Sequence, residues 1–132
     1  MRTTAVFIFL VAFLSLWPLH AQEKRNEFDG EWVGRASPQE TGTCNSGTYQ
    51  IKIKDSEITG TFDIRVKKIN QSRTDTSTVS GKVDPDGKAQ IVLTAVDTTA
   101  RSSKFSGTFT STEFRGSDTR GRCKYEVQLQ RR

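Results

Sequence analysis

Thr48-Tyr49-Gln50-Ile51-Lys52-Ile53-Lys54-Asp55-Ser56-Glu57-Ile58-Thr59-Gly60-Thr61-Phe62 alternates apolar and polar residues on either side of Asp55-Ser56. Such alternation puts every second side chain on one face, the signal of a half-buried β-strand. If Asp55-Ser56 is a two-residue turn, Lys54 faces Glu57, Ile53 faces Ile58, Ile51 faces Gly60 and Tyr49 faces Phe62. Both apolar sets then share one face, and a slip of one residue would send an entire set to solvent. Asp-Ser is not a strong turn pair, so the turn type stays open.

The same logic extends in both directions. Asp84-Pro85-Asp86-Gly87 is the best turn in the chain. Proline presets the first central dihedral and glycine takes the left-handed position, which predicts a hairpin with a bulge. Asp84 then pairs with Lys88, Val83 with Ala89, Gly81 with Ile91 and Val79 with Leu93. Strands are predicted over 28–36, 48–54, 57–66, 76–83, 88–96, 101–109, 113–117 and 122–131. A tight connection at Ser111-Thr112 pairs Phe109 with Phe114 and Gly107 with Gly116. Lys67 to Asp75 is polar and basic and reads as a loop, as does Asp97 to Ala100.

One pattern recurs at Ile58-Thr59-Gly60-Thr61-Phe62, Val79-Ser80-Gly81-Lys82-Val83 and Phe105-Ser106-Gly107-Thr108-Phe109, with a partial copy at Phe114-Arg115-Gly116. Glycine sits on the inner face between apolar residues, where it lets a strand bend and a large side chain lie over it. Strong curvature closes small barrels. The fold expected is all-β: a small antiparallel up-and-down barrel of about eight strands. In such a meander Cys44, before the second strand, and Cys123, at the start of the eighth, meet at one rim beside the closure. An open sandwich also brings them together.

Met1-Arg2 followed by the apolar run Ala5 to Trp17, Pro18 and Leu19-His20-Ala21 reads as a secretory signal peptide over residues 1–21. The run is too short for a membrane span of ~20 residues. Residues 22–132 form one domain, secreted or periplasmic. Loss of Arg2 takes one from the 20 Lys+Arg against 15 Asp+Glu, lowering the formal charge from +5 to +4. The charges are interspersed, which argues against a nucleic-acid stripe and allows weak attraction to anionic surfaces. Two cysteines in an exported chain most often pair. A Cys44–Cys123 bridge would remove roughly 4 kcal/mol of loop entropy from the unfolded chain; a free reactive thiol pair is the alternative.

Gly30-Glu31-Trp32 resembles the Gly-x-Trp signature of the calycin barrels, the lipocalin and avidin group. The glycine-centred motifs at residues 58–62 and 105–109 follow in an avidin-like order. The chain is also similar to small exported bacterial proteins that open with Asp-Gly-x-Trp and carry two cysteines. The resemblance implies that Trp32 plugs the closed base of the barrel, with ligand contact as its other role. Avidins hold biotin with several tryptophans and the exported chain keeps only Trp32, so biotin is not the expected ligand. Lipocalins carry a C-terminal helix for which there is no room.

The single histidine, His20, lies in the signal peptide. Without histidine, Ser-His-Asp and Cys-His catalysis is excluded, and so are the usual zinc sites. Asp84-x-Asp86-Gly87 resembles a fragment of a calcium loop but lacks the remaining ligands. Val96-Asp97-Thr98-Thr99 has threonine where an aspartic protease motif needs glycine. Asp29 and Glu31 read as a solvated edge. Asn70-Gln71-Ser72 matches a glycosylation acceptor, meaningful in a eukaryotic secretory host. The expectation is therefore a non-enzymatic binding protein with no catalytic residues, metal or cofactor. Its partner is an unknown small molecule or protein, not nucleic acid. Trp32, Tyr49, Phe62, Phe105 and Tyr125 are the ligand-binding candidates. The alternative is a protein-interaction module, such as an inhibitor of a cell-wall hydrolase, using the basic segments at 67–73 and 120–124.

Overall fold

The computed structural model describes residues 27–40, 42–96 and 102–132. The expected signal peptide, the Asp97–Ala100 loop and Arg101 lie outside the described residues. Eight strands follow in chain order: β1 (Gly30–Pro38), β2 (Gly47–Lys54), β3 (Glu57–Lys68), β4 (Gln71–Val83), β5 (Lys88–Ala95), β6 (Ser103–Phe109), β7 (Glu113–Arg120) and β8 (Cys123–Arg131). Each pairs antiparallel with its sequence neighbours, and β1 pairs with β8, closing a barrel. Closure satisfies the two edges that an open sheet of these strands would expose.

The β2–β3 register is the one the alternation requires, with Ile53 opposite Ile58 and Tyr49 opposite Phe62. Asp55 and Ser56 both take positive φ, 50° and 68°, which makes the turn type I′ and matches its twist to that of the strands. In the β4–β5 hairpin, Asp84 N–H donates to Lys88 O at 2.8 Å, and Gly87 takes φ 91°. Asp86 Oδ1 accepts from Lys88 N at 3.1 Å, so this carboxylate is spent on the turn. Phe109 pairs with Phe114 and Gly107 with Gly116.

The strand ends define a base and a rim. The turns at 55–56, 84–87 and 110–112 lie at the base, together with both ends of the described chain. The base is packed with apolar side chains. Trp32 and Phe114 are fully buried there, with Phe109 beside them. The Trp32 and Phe109 rings meet edge-on at 4.9 Å, and Phe109 lies 4.5 Å from Phe114. Trp32 Nε1 donates to Phe28 O at 2.9 Å, satisfying its one polar atom. The Arg131 guanidinium covers the Trp32 ring at 5.0 Å and donates to Glu27 O. A Cβ on Gly107 would stand 2.1 Å from the Phe114 ring, so glycine there admits the aromatic layer. At the rim, Cys44 and Cys123 form a disulfide with Cα atoms 5.8 Å apart. It ties the β1–β2 connection to the start of β8, across the seam where the barrel closes.

Three segments differ from expectation. Lys67 to Asp75 is not a loop: β3 runs to Lys68, Ile69-Asn70 turns, and β4 starts at Gln71. β7 does not end at Ser117 but continues to Arg120. The reasons differ. Beyond Ile64 and Ser77 the β3–β4 pair passes its neighbours, so no face is buried and apolar alternation has no cause to appear. At the end of β7 a face is buried, but by charged residues. β1 is also shifted, to Gly30–Pro38, while keeping the predicted inward face.

Candidate functional site

From base to rim the inner face changes chemistry. Along β7 the inward positions read Phe114, Gly116, Asp118 and Arg120. Gly121, at φ 59°, and Arg122 then turn the chain into β8, which sets Asp118 opposite Tyr125 and Arg120 opposite Cys123. On the facing wall β2 supplies Tyr49 and β3 supplies Phe62. Here too a glycine admits a ring: a Cβ on Gly47 would lie 2.1 Å from the Phe62 edge.

Arg120 organises this upper layer. Its Nε donates to Asp118 Oδ2 at 2.7 Å. Its Nη2 donates to the Tyr49 hydroxyl at 3.4 Å, a long bond. Its guanidinium lies 4.3 Å from the Phe62 ring centre and 5.8 Å from that of Tyr125. Tyr49 in turn packs against Phe62 at 4.4 Å and Phe105 at 6.1 Å. The Asp118 side chain is 1% exposed and that of Arg120 is 24% exposed, so the pair bridges interior and solvent.

The pairing is incomplete. Asp118 Oδ1 is buried and has no hydrogen-bond partner. The ion pair uses a single N–H of Arg120, whereas a guanidinium offers five donors in a planar fork. Burial drives the Tyr49 phenol far above its ordinary range; Arg120 opposes the shift and Asp118 adds to it. Tyr125 is raised as well, again chiefly by burial, with Arg120 opposing. Both hydroxyls therefore keep their protons at neutral pH. The layer offers a guanidinium with spare donors, an acceptor oxygen, two hydroxyls and aromatic walls.

Of the residues predicted for ligand contact, Tyr49, Phe62, Phe105 and Tyr125 come together in this layer. Trp32 does not: it is fully buried at the base, among Phe28 and Phe109. Asp118 and Arg120 are not among the predicted ligand residues, although Arg120 opens the basic segment at 120–124 that the protein-interaction alternative would use. The readable signal was the spacing of Phe114 and Gly116, which continues in steps of two to Asp118 and Arg120. Asp29 is not a simple solvated edge, since its Oδ2 accepts from Asp55 N at 3.3 Å across the β2–β3 turn.

Among the described residues no group of three or more His, Cys, Asp or Glu side chains is arranged to hold a metal ion. No helix among them is long and apolar enough to cross a membrane. An open hollow of about 710 Å³ lies outside the barrel near the base, lined by Lys82, Lys88, Gln90, Ser106 and Thr108. These are solvated outward positions, remote from the Asp118–Arg120 layer. No known family model and no curated protein matches the chain.

Proposed function

We propose that this is an exported, non-enzymatic binding protein whose small ligand seats at the rim of the barrel, against Arg120, Asp118, Tyr49, Tyr125 and Phe62. The observation that carries this reading is the buried, unpartnered Asp118 Oδ1 beside a guanidinium with donors to spare. A buried acceptor without a donor costs about 1–3 kcal/mol, more when charged. A ligand that donates to this oxygen and accepts from Arg120 recovers that cost. Such a ligand carries an adjacent donor and acceptor, as amides, ureides and hydroxy acids do, next to a flat or apolar part for the aromatic walls. The calycin-like reading is supported by the Gly30-Glu31-Trp32 start, the closed antiparallel barrel and the Trp32 plug beneath Arg131. Export is supported by the leader-like N-terminus and by a disulfide that suits an oxidising compartment.

The second reading, a protein-interaction module, draws on the β3–β4 arm that projects beyond the barrel. It loses Arg120, whose guanidinium turns into the barrel. The experiment is native mass spectrometry of protein purified from its exporting host, beside a denatured sample. A mass excess seen only in the native sample, and absent from the Arg120→Met variant, is the expected result. A bare mass equal to the cleaved, disulfide-bonded chain would sink the ligand reading.

A further inference from the structure

The β3–β4 hairpin is longer than the barrel needs. β2 leaves β3 at Ile64, and β5 leaves β4 at Ser77. Among the described residues, Arg65–Lys68 and Gln71–Thr74 pair only with each other. Four residue pairs at ~3.3 Å rise carry this ribbon roughly 13 Å past its neighbours. Two properties mark its end. Ile69, in the turn, is 101% exposed, a bulky β-branched residue where turn chemistry calls for small polar ones. Residues 65–75 also hold four cations, Arg65, Lys67, Lys68 and Arg73, against the single carboxylate of Asp75, a surplus of three. Asp75 is engaged by Arg73 at 2.8 Å. Val96, at 68% the other large exposed apolar residue among those described, lies at the foot of the same arm, where its N–H donates to Thr76 O.

We infer that this arm docks the protein, rim first, onto an anionic lipid bilayer, with Ile69 entering the headgroup boundary and the surrounding cations meeting lipid phosphates. The arrangement of charge selects this occupant. Strand alternation sends Arg65 and Lys67 to one face of the ribbon and Arg73 to the other. A folded protein surface would engage one face, whereas a headgroup layer surrounds an inserted tip on all sides. A second copy of the chain would bring an equal positive surplus against the first and be repelled. A short apolar tip ringed by Lys and Arg binds by adding buried apolar area to attraction for anionic lipid.

The test is co-sedimentation of the exported protein with vesicles of phosphatidylglycerol and phosphatidylcholine, against phosphatidylcholine alone. Removing two arm cations (Arg65→Gln with Lys67→Gln) should weaken binding to anionic vesicles by roughly 30-fold, at about fivefold per charge. Ile69→Ser should weaken it by about tenfold. The control, Lys52→Gln with Lys54→Gln, removes the same charge from exposed positions on β2 toward the base and should change binding less than about twofold. All three variants alter exposed side chains and should melt with the wild type. Equal losses in arm and control variants would reduce the effect to net charge and overturn the proposal. So would an Ile69→Ser variant that binds like the wild type. Failure to bind anionic vesicles while immobilised poly-glutamate retains the protein would reassign the arm to acidic proteins, and the proposal would fall.

Discussion

Arg120→Met removes the counter-charge of a carboxylate that is 1% exposed. Stripping one partner from a buried ion pair costs about 3–5 kcal/mol, because the other charge stays behind uncompensated. Arg120 itself is 24% exposed, so solvent shares its role and the lower part of that range applies. The guanidinium over Phe62 at 4.3 Å adds about 0.5–1 kcal/mol. The loss expected is about 3.5–4 kcal/mol, a fall in Tm of roughly 15 °C for a domain of this size. The double variant Asp118→Leu with Arg120→Met removes both charges and the orphaned oxygen, and should recover to within about 1 kcal/mol of wild type. Urea titration at neutral pH of the wild type, each single variant and the double variant, read as a double-mutant cycle, measures this. A loss below about 1 kcal/mol in Arg120→Met, or a double variant no more stable than the single, would refute the argument that Asp118 is a buried charge held by Arg120.

The protein's two tyrosines both sit in this layer, and burial raises both phenols above their ordinary value near 10. A raised folded pKa means that the unfolded chain loses its phenolic protons first. Stability is then fully kept below about pH 10 and declines as pH rises beyond it. Absorbance at 295 nm should show the Tyr49 phenolate appearing together with unfolding; both phenols ionising near pH 10 in a still-folded protein would contradict the burial of this layer. In the base layer, Gly107→Ala should cost about 2–3 kcal/mol, since its Cβ would meet the Phe114 ring at 2.1 Å. Thermal melting checks this, and Gly107→Ala melting at the wild-type temperature would show that the ring does not lie on the strand.

The parts of this barrel that sequence reading reached are those where one face meets the core. Tyr49 opposite Phe62 and Val79 opposite Leu93 follow from alternation plus a turn of known length, because burial forces both strands to agree. The Cys44–Cys123 bridge follows from meander parity. The β3–β4 arm did not announce itself, since a ribbon wet on both faces carries no alternation to read, and Arg65 to Thr74 has the composition of a loop. Asp118 and Arg120 escaped for the opposite reason. They obey the inward spacing of β7, but charge in an interior is costly enough that polarity reads as surface. Only pairing between the two makes the position tenable, and no single residue's hydropathy encodes a pair. The aromatic wall of the candidate site was readable because its residues are apolar; the polar centre that gives it chemistry was not.

The seam between β1 and β8 also imposes an order of events. β1 keeps an unpaired edge until β8, the last in order of the eight described strands, arrives. Trp32 cannot be sealed beneath Arg131 before β8 is available, and Cys44 waits for Cys123 across 79 positions. A chain made from its amino end therefore has no closed barrel until β8 has been added. Until then the β1 edge stays open, so closure of this barrel joins two strands that are the farthest apart in order of the eight described.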